Sequence, residues 1–377
     1  MKVLQSIYTA SKGWSDSGDL TTDPQLVLAF SPLELADDQQ LYDHIRKRFP
    51  GAHLVSASTS GDIAGTSVLD NSIVVSALEF EKTELKVLEY NVADFSSPFE
   101  LGKSMFKALN QSDLVHILII SDGLQVNGSE LVGGLTLLNE KRIPITGGLA
   151  GDNARFLKTL VGLDHFPGTG NVVGIGFYGS SLRVGHGSKG GWDPFGPERV
   201  VTRSDRNILY ELDDQSALEL YKKYLGELSK ELPGSALLFP LTMKLADSDE
   251  PLVRTILSVD EKEQSMTFAG NIPQGARVQL MKANFDRVID AASTAATESL
   301  ATAGTEQPDF ALLISCVGRK IVLNQRVEDE VEDAVDVLGT DTITAGFYSN
   351  GEISPVKTTQ GCELHNQTMT ITTYREI

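Results

Sequence analysis

Cysteine is scarce: 377 residues hold only Cys316 and Cys362. Two cysteines build no disulfide framework, and neither lies in a Cys-x-x-Cys or other zinc spacing. A reducing compartment is the simpler expectation. Basic residues are also short, 32 Lys and Arg against 51 Asp and Glu, for a formal net charge of −19. So acidic a chain lacks the cations that neutralise phosphates, which excludes non-specific nucleic-acid binding and disfavours an anionic membrane surface. No apolar run approaches the roughly 18 residues of a membrane-spanning helix. The start, MKVLQSIYTASKG, has no apolar signal-peptide stretch. A cytoplasmic location is expected, and the Asn-x-Ser/Thr matches at Asn127 and Asn366 then carry no glycan.

Familiar catalytic motifs are missing as well. There is no GxxxxGK[ST], no HExxH and no GxSxG, and the six histidines form no pair four residues apart on a helix. GxGxxG occurs at 174–179 and at 185–190, but a dinucleotide site needs a helix to follow. Here SSLRVGHG follows the first and GWDPFGP the second, so neither qualifies.

What the sequence does hold is a soluble globular profile, 41% apolar and 22% charged, long enough for two or three domains or one duplicated unit. Strand-like runs rich in Val, Ile, Thr and aromatics recur, among them 26–30, 72–80, 114–120, 143–146, 171–179, 235–241, 310–316, 342–348 and 368–374. Helical patterns alternate with them. Leu41, Ile45 and Phe49 share a face in 37–49, and Ser216-x-x-Glu219 makes a capping box before 216–225. Ala- and Leu-rich 284–302 and the Val327, Val331, Val335 and Leu338 series read as two more. The fold class is therefore mixed α/β, with mixed sheets flanked by helices. Residues 72–80 and 85–90, separated by EKTE, read as a hairpin.

An internal echo organises the chain. DLVHILIISDG leads through a helix to IPITGGLAGD, and DFALLISCVG leads through a helix to TITAGFYSNGE. Two related units, 113–153 and 309–352, are expected, in domains 1–215 and 216–377. Three strand ends carry small residues followed by Gly-acid: Ser58, Thr59, Gly61 and Asp62; Gly148, Gly151, Asp152 and Asn153; and Phe347, Tyr348, Gly351 and Glu352. Small residues let a ligand approach the backbone, whose amides bind anions, while the acids suit an ammonium. Such turns also form for their own geometry. Cys316, Arg319, His365 and Asn366 follow or precede strands of the second unit. A zwitterion would set its carboxylate on Arg319 and its ammonium on Glu352, unless those two residues pair with each other. Cys316 is alternatively a nucleophile, with His365 nearby, if its thiol is acidic.

The stretches SCVGRKIVLNQRVEDEVE, GFYSNGEISP and CELHNQTMTI resemble the C-terminal domain of the FIST family. STSGDI, GGLAGDN and VTRSDRNILYELDDQSALELY resemble its N-terminal domain. The resemblance implies a sensory protein that binds a small, amino-acid-like molecule and signals through a partner such as a histidine kinase or a cyclic-dinucleotide enzyme. The chain departs from the family where Gly-Cys-Ser-Thr is common, having Ser56-Ala57-Ser58-Thr59. Some FIST-like proteins hold haem and sense nitric oxide. That branch would make His186, in a glycine-rich stretch near Trp192 and Phe195, an iron ligand.

Overall fold

The computed structural model describes residues 1–19, 23–244, 251–304, 307–356 and 361–377. Its plan is a strand, a helical connection and a parallel strand, and it occurs three times. Leu26–Pro32 pairs with His53–Thr59, Leu114–Ser121 with Ile145–Leu149, and Phe310–Cys316 with Ile343–Ser349. Helices Gln39–Arg48, Gly128–Leu137 and Val327–Leu338 lie in the three connections. In each repeat a third strand returns antiparallel along the free side of the first: Ser72–Glu79, Asn171–Tyr178 and Met369–Glu376. The two expected units thus share direction and connectivity. The repeat at 26–79 is a third copy.

Between its second and third strands, each repeat sends a short hairpin into another repeat's sheet. Asp62–Ala64 pairs with Ile343–Ser349, and Gly351–Pro355 pairs with Ile145–Leu149. Val161–Leu163 pairs with His53–Thr59 and closes the cycle. Three six-stranded sheets result. Their inner faces share one core that includes Phe30, Leu118, Val173, Leu312 and Phe347. The outer faces pack on helices, as Ile119 does with Leu131 and Leu313 with Val331. Strands buried on both faces read as unbroken apolar runs, which is why LVHILII does not alternate.

A fourth sheet of eight strands includes Trp192–Asp205, Leu241–Lys244 and Arg277–Ala283. It has a core of its own with helix Ala217–Leu225. Helix Ala217–Leu225 starts at the expected cap, where Ser216 Oγ accepts from the Glu219 amide at 3.2 Å, and Asp38 Oδ1 caps Gln39–Arg48 by accepting from the Gln40 amide at 2.8 Å. Two expectations fail. Ser72–Glu79 and Glu84–Asn91 are not a hairpin, because the chain passes from one sheet to another between them. Residues 235–241 do not form a strand; Gly234–Leu238 is a 3-10 turn, and the strand begins at Leu241.

The sheets are not confined to either side of residue 215. A fragment cut there leaves sheet edges unpaired, and such edges aggregate. Residues 1–215 and 216–377 expressed apart should each be insoluble or unfolded by circular dichroism, and co-expression should restore a folded complex. Two folded, monomeric fragments would contradict the interlocked arrangement.

Candidate functional site

The Gly-acid turns are the joints where the chain leaves one sheet for the next. They touch one another: the Ser60 amide donates to the Tyr348 carbonyl at 2.8 Å, Gly151 to Ser58 at 2.9 Å, and Asn350 to Leu149 at 3.0 Å. Gly61 has φ +128°, a conformation that side-chain-bearing residues rarely adopt, and lies against the Lys320 ammonium. Gly151 abuts Ser60, and Gly148 abuts Ile314 and Phe347.

The three acids are fully buried. Asp62 accepts from Thr59 Oγ1 at 2.7 Å, and burial holds its carboxyl well above the usual range. Asp152 collects the amides of Phe156, Leu157 and Lys158 at 2.9, 2.6 and 3.1 Å, pinning the loop after it. Ser58 Oγ ties the Gly151 carbonyl to the Leu160 amide, and the Asn153 amide donates to Ser60 Oγ. Ser58, Thr59, Gly61, Asp62, Gly148, Gly151, Asp152 and Asn153 therefore build the joints, and none of them lines the cleft described below.

Arg319 is not a ligand arm. It is completely buried, and all its nitrogens are occupied. Nε and Nη2 donate to Glu330 Oε2 at 2.9 and 2.7 Å. Nη1 donates to the Gly190 carbonyl and Nη2 also to the Val288 carbonyl, both at 2.6 Å. Glu330 was not foreseen as the partner, and Glu352 does not pair with Arg319. The other Glu330 oxygen accepts from Ser315 Oγ at 3.2 Å and from the Tyr348 hydroxyl at 2.8 Å. Tyr348 thus belongs to this hub, and Phe347 packs on Phe30 in the central core with ring centroids 4.6 Å apart. Neither walls a pocket.

Cys316 is 2% exposed, and burial, reinforced by the Glu352 charge, pushes its thiol far above neutral pH. That is the setting of an inert thiol, so the nucleophile reading fails. His365 gives it no support: its ring bonds the Ser354 carbonyl at 3.2 Å, and burial lowers it to about 4, keeping it uncharged.

An open cleft of about 280 Å³ does form where the end of strand Leu182–Lys189 meets the start of strand Met369–Glu376. His186, Lys189, Trp192, Glu298, His365 and Thr368 line it. Lys189 and Glu298 form a 3.0 Å ion pair there, both partly exposed. The Trp192 indole donates to the Gln367 carbonyl at 2.9 Å, which fixes the aromatic wall. Thr368 is the floor, and Glu352 lies behind it. Glu352 Oε2 accepts from the Thr368 amide at 3.1 Å and its hydroxyl at 2.8 Å, while Oε1 accepts from Ser349 Oγ at 2.7 Å. Burial raises Glu352 to about 7, these hydrogen bonds limiting the shift. Gly351 precedes this carboxyl in sequence, and Asn366 follows His365, which pairs opposite it; the Asn366 amide is buried, close to Gly351, with no partner among the described residues. Lys189, Glu298 and Thr368 escaped the sequence reading, and Trp192 entered it only as a flank for haem. Lys189 and Thr368 do lie in the glycine-rich stretch and the CELHNQT turn, whereas Glu298, on helix Phe285–Ala303, carries no such signal.

The residues do not fit haem. His186 lies on the strand Leu182–Lys189, not on a loop, paired opposite Thr372. Trp192 flanks the cleft, but Phe195 packs against Phe239 in the fourth sheet's core, so the second aromatic wall is missing.

The FIST N domain matches residues 25–215 and the FIST C domain residues 217–355. The chain belongs to the FIST family, whose domains are sensory domains of signal transduction. It is 23% identical over 339 residues to an uncharacterized protein of Methanocaldococcus jannaschii, covering 82% of this chain and 63% of that longer relative. A crystal structure of a chorismatase aligns over 98% of both chains at 9% identity, but its TM-score of 0.36 is too low to support any inference. No helix among the described residues is long and apolar enough to cross a membrane.

Two tests follow from this geometry. Glu330→Gln and Arg319→Met each leave a buried group unmatched, so urea unfolding should show a loss of about 3–5 kcal/mol. A loss under 1 kcal/mol would contradict the saturated hub. Native Cys316 should resist iodoacetamide at pH 8 over hours and react only once urea unfolds the chain, followed by mass spectrometry.

Proposed function

We propose that this protein is a cytoplasmic sensor whose cleft binds a small, amino-acid-like zwitterion and reports occupancy to a signalling partner, such as a histidine kinase or a cyclic-dinucleotide enzyme. The observation that carries the reading is the Lys189–Glu298 pair on the wall of a cleft of about 280 Å³. That volume is at the small end of the roughly 300–1,000 Å³ typical of ligand pockets. A zwitterion offers each of the two charges a new partner, its carboxylate for Lys189 and its ammonium for Glu298. Trp192 and Met281 supply an apolar wall for a side chain, and His365 and Thr368 supply neutral hydrogen-bonding groups. Membership of a sensory family and the absence of an activated nucleophile at Cys316 favour binding over catalysis.

A thermal-shift screen against amino acids, nucleotides and haem should give stabilisation with one or a few amino acids, confirmed by calorimetry. Lys189→Met should weaken that binding about tenfold, equivalent to about 1.4 kcal/mol, and leave unliganded stability nearly unchanged. Stabilisation by haem with a Soret band, and by no amino acid, would overturn the reading.

A further inference from the structure

We propose that the cleft recognises the protonated amine of its ligand through a relay from Thr368 to Glu352, so that binding is coupled to the ionisation of Glu352. This rests on the cleft being the ligand site.

Thr368 touches both sides. It lines the cleft, and its hydroxyl donates inward to Glu352 Oε2 at 2.8 Å. A hydroxyl has one hydrogen and two acceptor lone pairs. While Glu352 is ionised, that hydrogen is committed inward, and only the hydroxyl's acceptor lone pairs are left for a group in the cleft. The group it then welcomes is an N–H donor, best a charged one. When Glu352 is protonated, the acid proton can lie between Oε2 and Thr368 Oγ1, and the hydroxyl hydrogen turns to the cleft. The site then suits an acceptor. The carboxyl's charge is thus written into the direction of one hydroxyl.

Among the described residues no cation bonds this carboxyl, and the Arg319 charge offsets its own only from a distance. All three donors bonded to Glu352 are neutral: Ser349 Oγ, the Thr368 amide and the Thr368 hydroxyl. The nearby cation, Arg319, is spent on Glu330. Around Glu352, the junction 316–320 brings Cys316, Arg319 and Lys320. The paired strand Cys362–His365 brings Glu363 and His365. Strand Leu182–Lys189 brings Arg183, His186 and Lys189, and strand Met369–Glu376 carries Tyr374, Arg375 and Glu376 toward its far end. Strand Ile145–Leu149 brings no titratable group. Among the described residues none of these bonds the Glu352 carboxyl. A buried carboxylate without a bonded cation is a standing demand for one, which agrees with its titration near neutrality.

The sign follows. An ammonium favours ionised Glu352, so binding expels the proton that the free protein holds below about pH 7. Affinity should be flat above pH 8 and fall about tenfold per pH unit well below 7.

The test is calorimetry and thermal shift with an equimolar mixture of the common amino acids, and with the same mixture N-acetylated, between pH 5.5 and 8.5. The free amino acids should bind with that pH profile and release protons in buffers of different ionisation enthalpy. The N-acetylated mixture should not bind. Glu352→Gln should flatten the profile. Thr368→Val should do the same, and Thr368→Ser should keep the wild-type profile, which separates the relay from any general loss of fold. Binding of free amino acids with no pH dependence below 8, or equal binding of the N-acetylated mixture, would overturn the relay and leave the sensor reading standing. No binding by either mixture would overturn both.

Discussion

Backbone pairing between repeats is the constraint from which the rest of this structure follows. A strand–helix–strand unit buries one face of its sheet against its own helices and leaves an edge and an inner face open. Here each edge is closed by a hairpin from another repeat, and the three inner faces close on one another around Phe30, Leu118 and Phe347. The same ladder hydrogen bonds that complete one sheet tie down the next. This is why the turns after each second strand are small and sealed. Thr59, Ser60 and Gly61, like Ser349, Asn350 and Gly351, must let the chain change sheets where two other backbones already run.

Buried charge is handled in two contrasting ways within one repeat. Arg319 meets Glu330, and the pair is saturated by Ser315, Tyr348 and backbone carbonyls, so it serves as a fixed post between the strand end and two helices. Glu352, three residues past the end of the neighbouring strand, receives only neutral donors. Desolvation then works against its ionised form with no ion pair to offset it. One carboxylate is locked and the other is left near its titration point, behind the Thr368 floor of an open cleft. The cleft is where a sensory domain can couple occupancy to structure, because the strand bearing Glu352 is also one that crosses into another repeat's sheet. Glu352 itself lies opposite Gly148 in that ladder.

Much of this was legible in the residues. Apolar runs bounded by turn residues marked most strands, and Ser216 marked a helix start through a hydrogen bond that depends only on local spacing. The echo between 113–153 and 309–352 exposed two repeats. The third was harder to see, because LVLAF is followed by Ser-Pro and lacks the Ser and turn glycine that follow the other two strands. Glu352 was legible as a buried acid worth attention. Arg319 was legible as important and wrong in role: its partner stands eleven residues on, across a helix boundary, where spacing along a single element gives no guidance.

What the sequence determined by itself was the set of elements, the small-residue joints and the family, all of which rest on patterns read over a few consecutive residues. Only the tertiary structure decided which sheet each hairpin joins, because a strand's alternation specifies its faces and says nothing of its neighbour. It also decided the cleft. Lys189 and Glu298 are more than a hundred residues apart, and they meet because helix Phe285–Ala303 packs along strand Leu182–Lys189. Thr368 became its floor because the third strand of the last repeat begins beside Glu352, a contact made through space between segments that carry no mark of each other.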